Sequence, residues 1–123
     1  MLQCTLFLLA LSAAPLALAA GDAEHGKALY SLKCSPCHSL EYNGVGPAHK
    51  GVFGRKAGLA DGYPYSAAVK ASGLVWTELT LNRWLANPAK LVPGNKMGIA
   101  IPDARERSDL IAYLKAATRP PAP

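Results

Sequence analysis

The stretch Lys33-Cys34-Ser35-Pro36-Cys37-His38 decides how the rest of this 123-residue chain is read. Two thiols three positions apart lie about one helical turn from each other, and the next residue brings an imidazole beside them. Cys-x-x-Cys-His is the attachment pattern of a c-type haem. Each thiol can add to one of the two vinyl groups, and the histidine can approach the iron as its proximal ligand. Three other chemistries use part of the pattern. Cys34-Ser35-Pro36-Cys37 suits a thioredoxin-type redox pair. That fold needs βαβ units, whereas beyond residue 20 the chain has only five Val and three Ile and no clear alternating strand run. A zinc site needs about four ligands and a second knuckle, which the sequence lacks. A plain disulfide is compatible with an exported chain but gives His38 no role.

On the N-terminal side, residues 1–20 contain no Lys, Arg, Asp or Glu, and sixteen of them are apolar. They end in Ala17-Leu18-Ala19-Ala20, with the small-x-small form of a cleavage site. This reads as a signal peptide over residues 1–20, although it lacks the usual leading Lys or Arg; a retained anchor is the alternative. Cys4 stands too close to the start for a lipoprotein site. The other 103 residues hold all thirteen Lys and Arg and all eight Asp and Glu, so the net charge of +5 is theirs. Of their 46 apolar residues sixteen are Ala and two are Cys, leaving 28 sizeable apolar side chains among eleven Gly and nine Pro. A domain of that size is marginal on its own core, so something else is expected to fill its middle. A large enzyme, a collagen, a polytopic membrane protein and a disulfide-dense fold are excluded.

Periodicity and capping signals predict four helical pieces. The first is capped by Asp22 and runs to about Lys33, with Gly26, Leu29, Tyr30 and Lys33 near one stripe. Gly26 costs helix propensity, which points to close approach of a second element. Residues 39–64, with six Gly and two Pro, read as irregular loop. That is long for a compact domain unless it wraps a large rigid ligand. A short helix covers Ser66–Ala71, ended by Gly73. A third runs from Thr77 to about Asn87, where Pro88 stops it, with Leu81, Trp84 and Leu85 inward. The last runs from Asp103 to about Thr118, with Asp103 and Glu106 at capping-box spacing. Its Leu110, Ile111, Tyr113 and Leu114 are expected inward, and Arg105, Arg107 and Lys115 solvated. Residues 119–123 form a proline-rich tail.

A haem iron has a second axial position. Met97, His25 and His49 are the candidates. Met97, in the loop Pro93-Gly94-Asn95-Lys96-Met97-Gly98, is favoured because Met/His ligation suits electron transfer. A soft, neutral thioether favours the ferrous state and raises the potential. His25 reads as a solvent-facing helix residue and His49 as a loop residue near the pocket.

Over residues 21–118 the chain resembles the class I c-type cytochromes. The resemblance is carried by Gly26 and Tyr30, then Cys34, Cys37 and His38. It continues through Gly46-Pro47, Gly51-Val52-Phe53-Gly54-Arg55, Gly62-Tyr63-Pro64-Tyr65 and Trp76. It closes with Asn87-Pro88, Pro93-Gly94-Asn95-Lys96-Met97 and Asp109-Leu110-Ile111-Ala112-Tyr113-Leu114. It implies an all-α fold of three to five helices and long loops around one haem c, covalent through Cys34 and Cys37. His38 and Met97 would be axial and would hold the metal. The Pro47 carbonyl would accept a hydrogen bond from His38, and Arg55, Tyr65 and Trp76 would face the propionates. Gly26 and Tyr30 would cross against Leu110 and Tyr113. The chain departs from the pattern at His49, where a pocket Leu is usual, at Val69 for Asn, at Trp84 for Tyr, and at Ile99 for an aromatic.

The function expected from these residues is one-electron transfer by a monomeric, periplasmic carrier rather than an enzyme. Its donor and acceptor would be exported or membrane-bound redox proteins that dock by an acidic face near Lys33, Lys90 and Lys96. Nucleic acid is not expected as a partner, since there is no basic stripe. A membrane is expected only if the N-terminal segment stays on. The alternatives are a haem protein with a labile sixth ligand, gas-binding or peroxidase-like, a thiol–disulfide module, and a cytochrome subunit of a larger dehydrogenase.

Overall fold

A computed structural model describes residues 20–119. The expected signal peptide, up to residue 19, and residues 120–123 of the expected tail lie outside the described residues. The elements are α1 (Ala23–Lys33), α2 (Ala67–Ala71), α3 (Glu78–Ala86), α4 (Pro88–Leu91) and α5 (Ala104–Thr118). Among the described residues the only β pairing is an isolated antiparallel bridge between Lys56 and Val75. No helix among them is long and apolar enough to cross a membrane.

The caps follow side-chain chemistry. Asp22 accepts from the amides of Glu24 (3.0 Å) and His25 (3.1 Å) at the start of α1. Thr77 and Thr80 form a reciprocal capping box on α3. At α5 only half of the expected box forms. Asp103 accepts from the Glu106 amide at 2.8 Å, but the Glu106 carboxylate turns away to Lys33 of α1, at 2.5 Å. Pro88 does end α3, and it also occupies the first turn of α4. A proline there loses no hydrogen bond, so the one helix missing from the sequence reading begins at the residue taken as a stop.

The principal helix contact is α1 against α5. A Cβ on Gly26 would overlap the carbonyl of Asp109, and one on Gly21 would overlap that of Ser108. The backbones therefore meet where only glycine fits. Beyond that contact Tyr30 packs on Tyr113, ring centroids 5.2 Å apart. Leu29, Leu110, Ile111 and Leu114 are buried with Leu81 and Leu85 of α3.

His25 faces solvent as expected, its side chain half exposed, and its Nδ1 also lies 2.7 Å from Oδ2 of Asp109. Asp109 is 1% exposed, and its Oδ1 accepts from the Asp22 amide at 2.7 Å. A carboxylate taken out of water needs such partners, and His25 and the start of α1 supply them. Arg107, expected to be solvated, is not free in solvent. Its guanidinium donates to Asn82 Oδ1 (2.7 Å) and to the carbonyls of Ile101 (2.9 Å) and Pro102 (2.8 Å), tying α5 to α3 and the preceding loop.

Two tests address this crossing. Gly26→Val should cost about 3 kcal/mol or prevent folding, measured by denaturant unfolding. The His25 hydrogen bond, then the Asp22 amide, hold the Asp109 carboxyl below the usual carboxylate range. A lowered folded pKa stabilises above the unfolded value, about 4, and this is lost as pH falls through the folded value. Asp109→Asn should therefore unfold more readily at pH 7, with the gap from the parent closing in acid.

Candidate functional site

α1 delivers the Cys-x-x-Cys-His segment. Its last turn runs on past Lys33: the amides of Cys34 and Ser35 both donate to the Tyr30 carbonyl at 2.9 Å, and the His38 amide donates to that of Cys34 at 2.8 Å. This winding turns Cys34, Cys37 and His38 toward one cavity. The cavity holds about 210 Å³ and is walled mainly by apolar side chains, among them Val52, Leu81, Leu85 and Leu110. No disulfide joins the two cysteines. Burial pushes the Cys34 thiol up to about 11, with Lys33 opposing and Cys37 adding to the shift.

His38 is oriented by its neighbours. Its Nδ1 lies 2.8 Å from the Pro47 carbonyl. A carbonyl can only accept, so Nδ1 carries the hydrogen and Nε2 keeps its lone pair. Burial lowers the pKa of the ring, against the pull of the Pro47 bond, so the ring stays neutral at pH 7. A Cβ on Gly46 would collide with the ring, which makes that glycine part of the seat. These are the properties of an imidazole prepared for a metal.

Met97 reaches the same cavity from the loop between α4 and α5. Gly94, at φ +90°, turns that loop. Asn95 ties it down: its amide and Nδ2 donate to the Val92 carbonyl (3.1 and 2.9 Å), and its Oδ1 accepts from the Met97 amide (2.7 Å). Asn95 lies in the loop motif that the sequence shows, but its tethering role is not legible there beyond its being a residue able to donate and accept two positions before the methionine.

Arg55, Tyr65 and Trp76 also line the cavity. The Arg55 guanidinium reaches the Lys50 carbonyl at 2.6 Å and that of Ala48 at 3.4 Å, yet its buried Nε has no partner. A half-buried guanidinium with a buried, unused donor fits an anion better than it fits its present surroundings. Tyr65 Oη accepts from the Ala60 amide at 3.0 Å. Trp76 meets Trp84 edge to face at 5.3 Å. His49 was expected only near the pocket. It lies inside, stacked on His38 and 2.9 Å from the Tyr30 hydroxyl. Burial first, then His38 and Arg55, lower its pKa to about 3. Among the described residues no cluster of three or more His, Cys, Asp or Glu could hold a metal ion, so a Cys/His zinc site is not formed.

Five helices around an apolar cavity that gathers two thiols, an imidazole and a thioether define a class I c-type cytochrome. The cytochrome c family model matches residues 23–118. Cytochrome c of Gibberella zeae is 42% identical over 106 residues, 83% of this chain and the whole of that protein. Cytochrome c of Euglena viridis is 47% identical over 98 residues, 77% of this chain and 96% of that one. Among solved structures, cytochrome cH from Methylobacterium extorquens superposes with a TM-score of 0.75 at 51% identity, covering 78% of this chain and 99% of that chain.

This chain belongs to the cytochrome c family. Like the family it carries one covalently attached haem c and transfers electrons rather than catalysing a reaction. The cavity fits such a group: the orphaned Arg55 Nε suits a carboxylate-bearing ligand, and the seats of His38 and Met97 supply two neutral donors.

Asn95→Ala should free the Met97 amide to exchange its hydrogen about tenfold faster, the equivalent of one net hydrogen bond of about 1.4 kcal/mol. Hydrogen exchange followed by mass spectrometry or NMR measures it.

Proposed function

We propose that this chain is a soluble, monomeric carrier that moves single electrons between redox proteins in the periplasm of a bacterium. Haem c would be joined to Cys34 and Cys37 and held axially by His38 and Met97. The observation that carries this reading is the meeting of these four side chains, three after α1 and one between α4 and α5, at one apolar cavity. When bound, the haem supplies a one-electron Fe(II)/Fe(III) couple.

The protein's own groups suit that task. His38 offers a neutral Nε2 because the Pro47 carbonyl holds the proton on Nδ1. Met97 offers a soft neutral sulfur, and its tethered loop would hold that sulfur toward a bound iron. Apolar walls disfavour added positive charge, so they favour the reduced state. Arg55, with Tyr65 and Trp76 alongside, would meet the propionates. Export rests on residues 1–20, whose composition and Ala17-Leu18-Ala19 ending match a cleaved signal.

Docking would use the exposed residues that line the cavity, among them Lys33, Lys96, Val45 and Ile99. Val45 is 76% and Ile99 46% exposed, which gives that surface apolar as well as charged groups. The charge around it is less free than the sequence suggests. Lys33 is paired with Glu106, which leaves Lys96 and Lys90 to meet an acidic partner face.

Three variants and a mass measurement test the reading. The exported protein should have the mass of the polypeptide from about residue 21 plus one haem. Cys34→Ala and Cys37→Ala should each impair attachment and lower the yield of folded protein. Met97→Ala should keep the haem covalently bound, lose the far-red thioether-to-iron absorption band, lower the reduction potential and bind carbon monoxide quickly. An unchanged spectrum and potential in Met97→Ala would remove it as the ligand, and a polypeptide mass with no addition would remove the carrier function altogether.

A further inference from the structure

The inner face of His38 meets a side chain that neither attachment nor axial ligation requires. His49 stacks on the His38 ring with centroids 4.1 Å apart and planes 20° from parallel. We propose that His49 is a positioning residue that sets the ring plane of His38, and that Tyr30 holds His49 in place for it. The inference rests on the reading of His38 as an axial ligand.

The geometry separates two tasks. The bond from His38 Nδ1 to the Pro47 carbonyl selects the tautomer and aims one N–H. A single hydrogen bond fixes a direction and leaves rotation about it to be limited by what packs on the ring, Gly46 and His49. A flat partner against the ring face removes this freedom, because rocking either opens the contact or drives the rings together. The partner must itself be fixed, and His49 is fixed at three points. Its amide donates to the Ser39 carbonyl and its carbonyl accepts from the Val52 amide, both at 2.8 Å. Its Nδ1 lies 2.9 Å from the Tyr30 hydroxyl. Tyr30 is 5% exposed and wedged against Tyr113 of α5.

Contacts therefore run from Tyr113 through Tyr30 and His49 to the imidazole. An aliphatic side chain at position 49 could fill the space, but it would offer neither a plane nor a hydrogen bond to Tyr30. Ring orientation is one of the properties by which surrounding residues tune a metal-bound histidine. The consequence is a defined direction for the ligand plane, reported by the magnetic anisotropy of the oxidised centre.

The test uses oxidised holoprotein and compares the parent with His49→Leu, Tyr30→Phe, the double variant and Asp109→Asn. The readouts are the spread of haem-methyl proton NMR shifts and the g-values in electron paramagnetic resonance. His49→Leu and Tyr30→Phe should shift both in the same sense. The double variant should shift them no further than His49→Leu alone, because the two residues act in series. Asp109→Asn alters a buried carboxylate whose hydrogen bonds go to the Asp22 amide and His25 and not to Tyr30, His49 or His38, so it should leave them unchanged; an equal shift there would overturn the specific role given to the stack.

A His49→Leu protein that melts earlier with unaltered shifts and g-values would overturn the proposal and leave His49 as packing. A shift in His49→Leu with none in Tyr30→Phe would overturn the part given to Tyr30. Tyr30→Phe removes one oxygen atom, so it also serves where His49→Leu fails to mature. A parent without the spectrum of a low-spin, doubly ligated iron would overturn the axial reading of His38 and this inference together. A normal parent with silent variants would overturn the inference alone.

Discussion

The close contact of α1 and α5 at Gly26 governs everything downstream of it. Two helices from opposite ends of the described chain approach until the backbone of one touches the backbone of the other. This costs the helix propensity of an alanine, roughly 1 kcal/mol, and it makes the rest of the architecture possible. The turn that follows α1 is pressed toward the interior, carrying Cys34, Cys37 and His38 with it. Tyr30, one turn before them, becomes buried between the helices. Asp109, at the crossing itself, is sealed from solvent and collects the Asp22 amide and His25 as partners.

From that crossing the remaining segments close a vessel rather than a solid core. The chain has too few large apolar side chains to pack its own middle, and the ones it has line the walls. Loop residues supply the finer control. Pro47 fixes a tautomer, Asn95 fixes the course of the Met97 loop, and Arg55 holds a buried donor toward an anion it does not find among the protein's own groups. The haem completes the core and is at the same time the functional group, so folding and function draw on the same burial. A substitution that weakens the vessel is therefore expected to weaken haem retention as well.

Most of this was legible in the sequence because the decisive residues are local or chemically distinctive. Cys34, Cys37 and His38 stand at the spacing of a haem attachment pattern, and the fold brings all three to one cavity. Asp22, Thr77 and Asp103 mark helix starts by the same cap chemistry that the structure shows. Gly26 signalled a close approach because nothing else justifies a glycine in that helix. What could not be read depends on distant partners. The Glu106 carboxylate has the spacing to close its own capping box, and it leaves for Lys33, 73 positions away in sequence. Arg107 reads as a solvated surface residue because its partners lie on another element and a loop, and His25, which does face solvent, gave no sign of Asp109. Pro88 was read as an end, although the proline that stops one helix is suited to begin the next. His49 was the largest gap, because the same residue serves as readily in a solvent-facing loop as against an imidazole, and only the fold brings Tyr30 within 2.9 Å of it.

The central claim is that the cavity holds one iron centre closed on both axial sides. A potentiometric titration of exported protein, followed by visible absorption, tests this most directly. The expected result is a single one-electron transition between a reduced form with sharp c-type bands and an oxidised form that carries the far-red sulfur-to-iron band. A product with no haem absorption, or an oxidised form that lacks that band and takes up carbon monoxide at once on reduction, would contradict it.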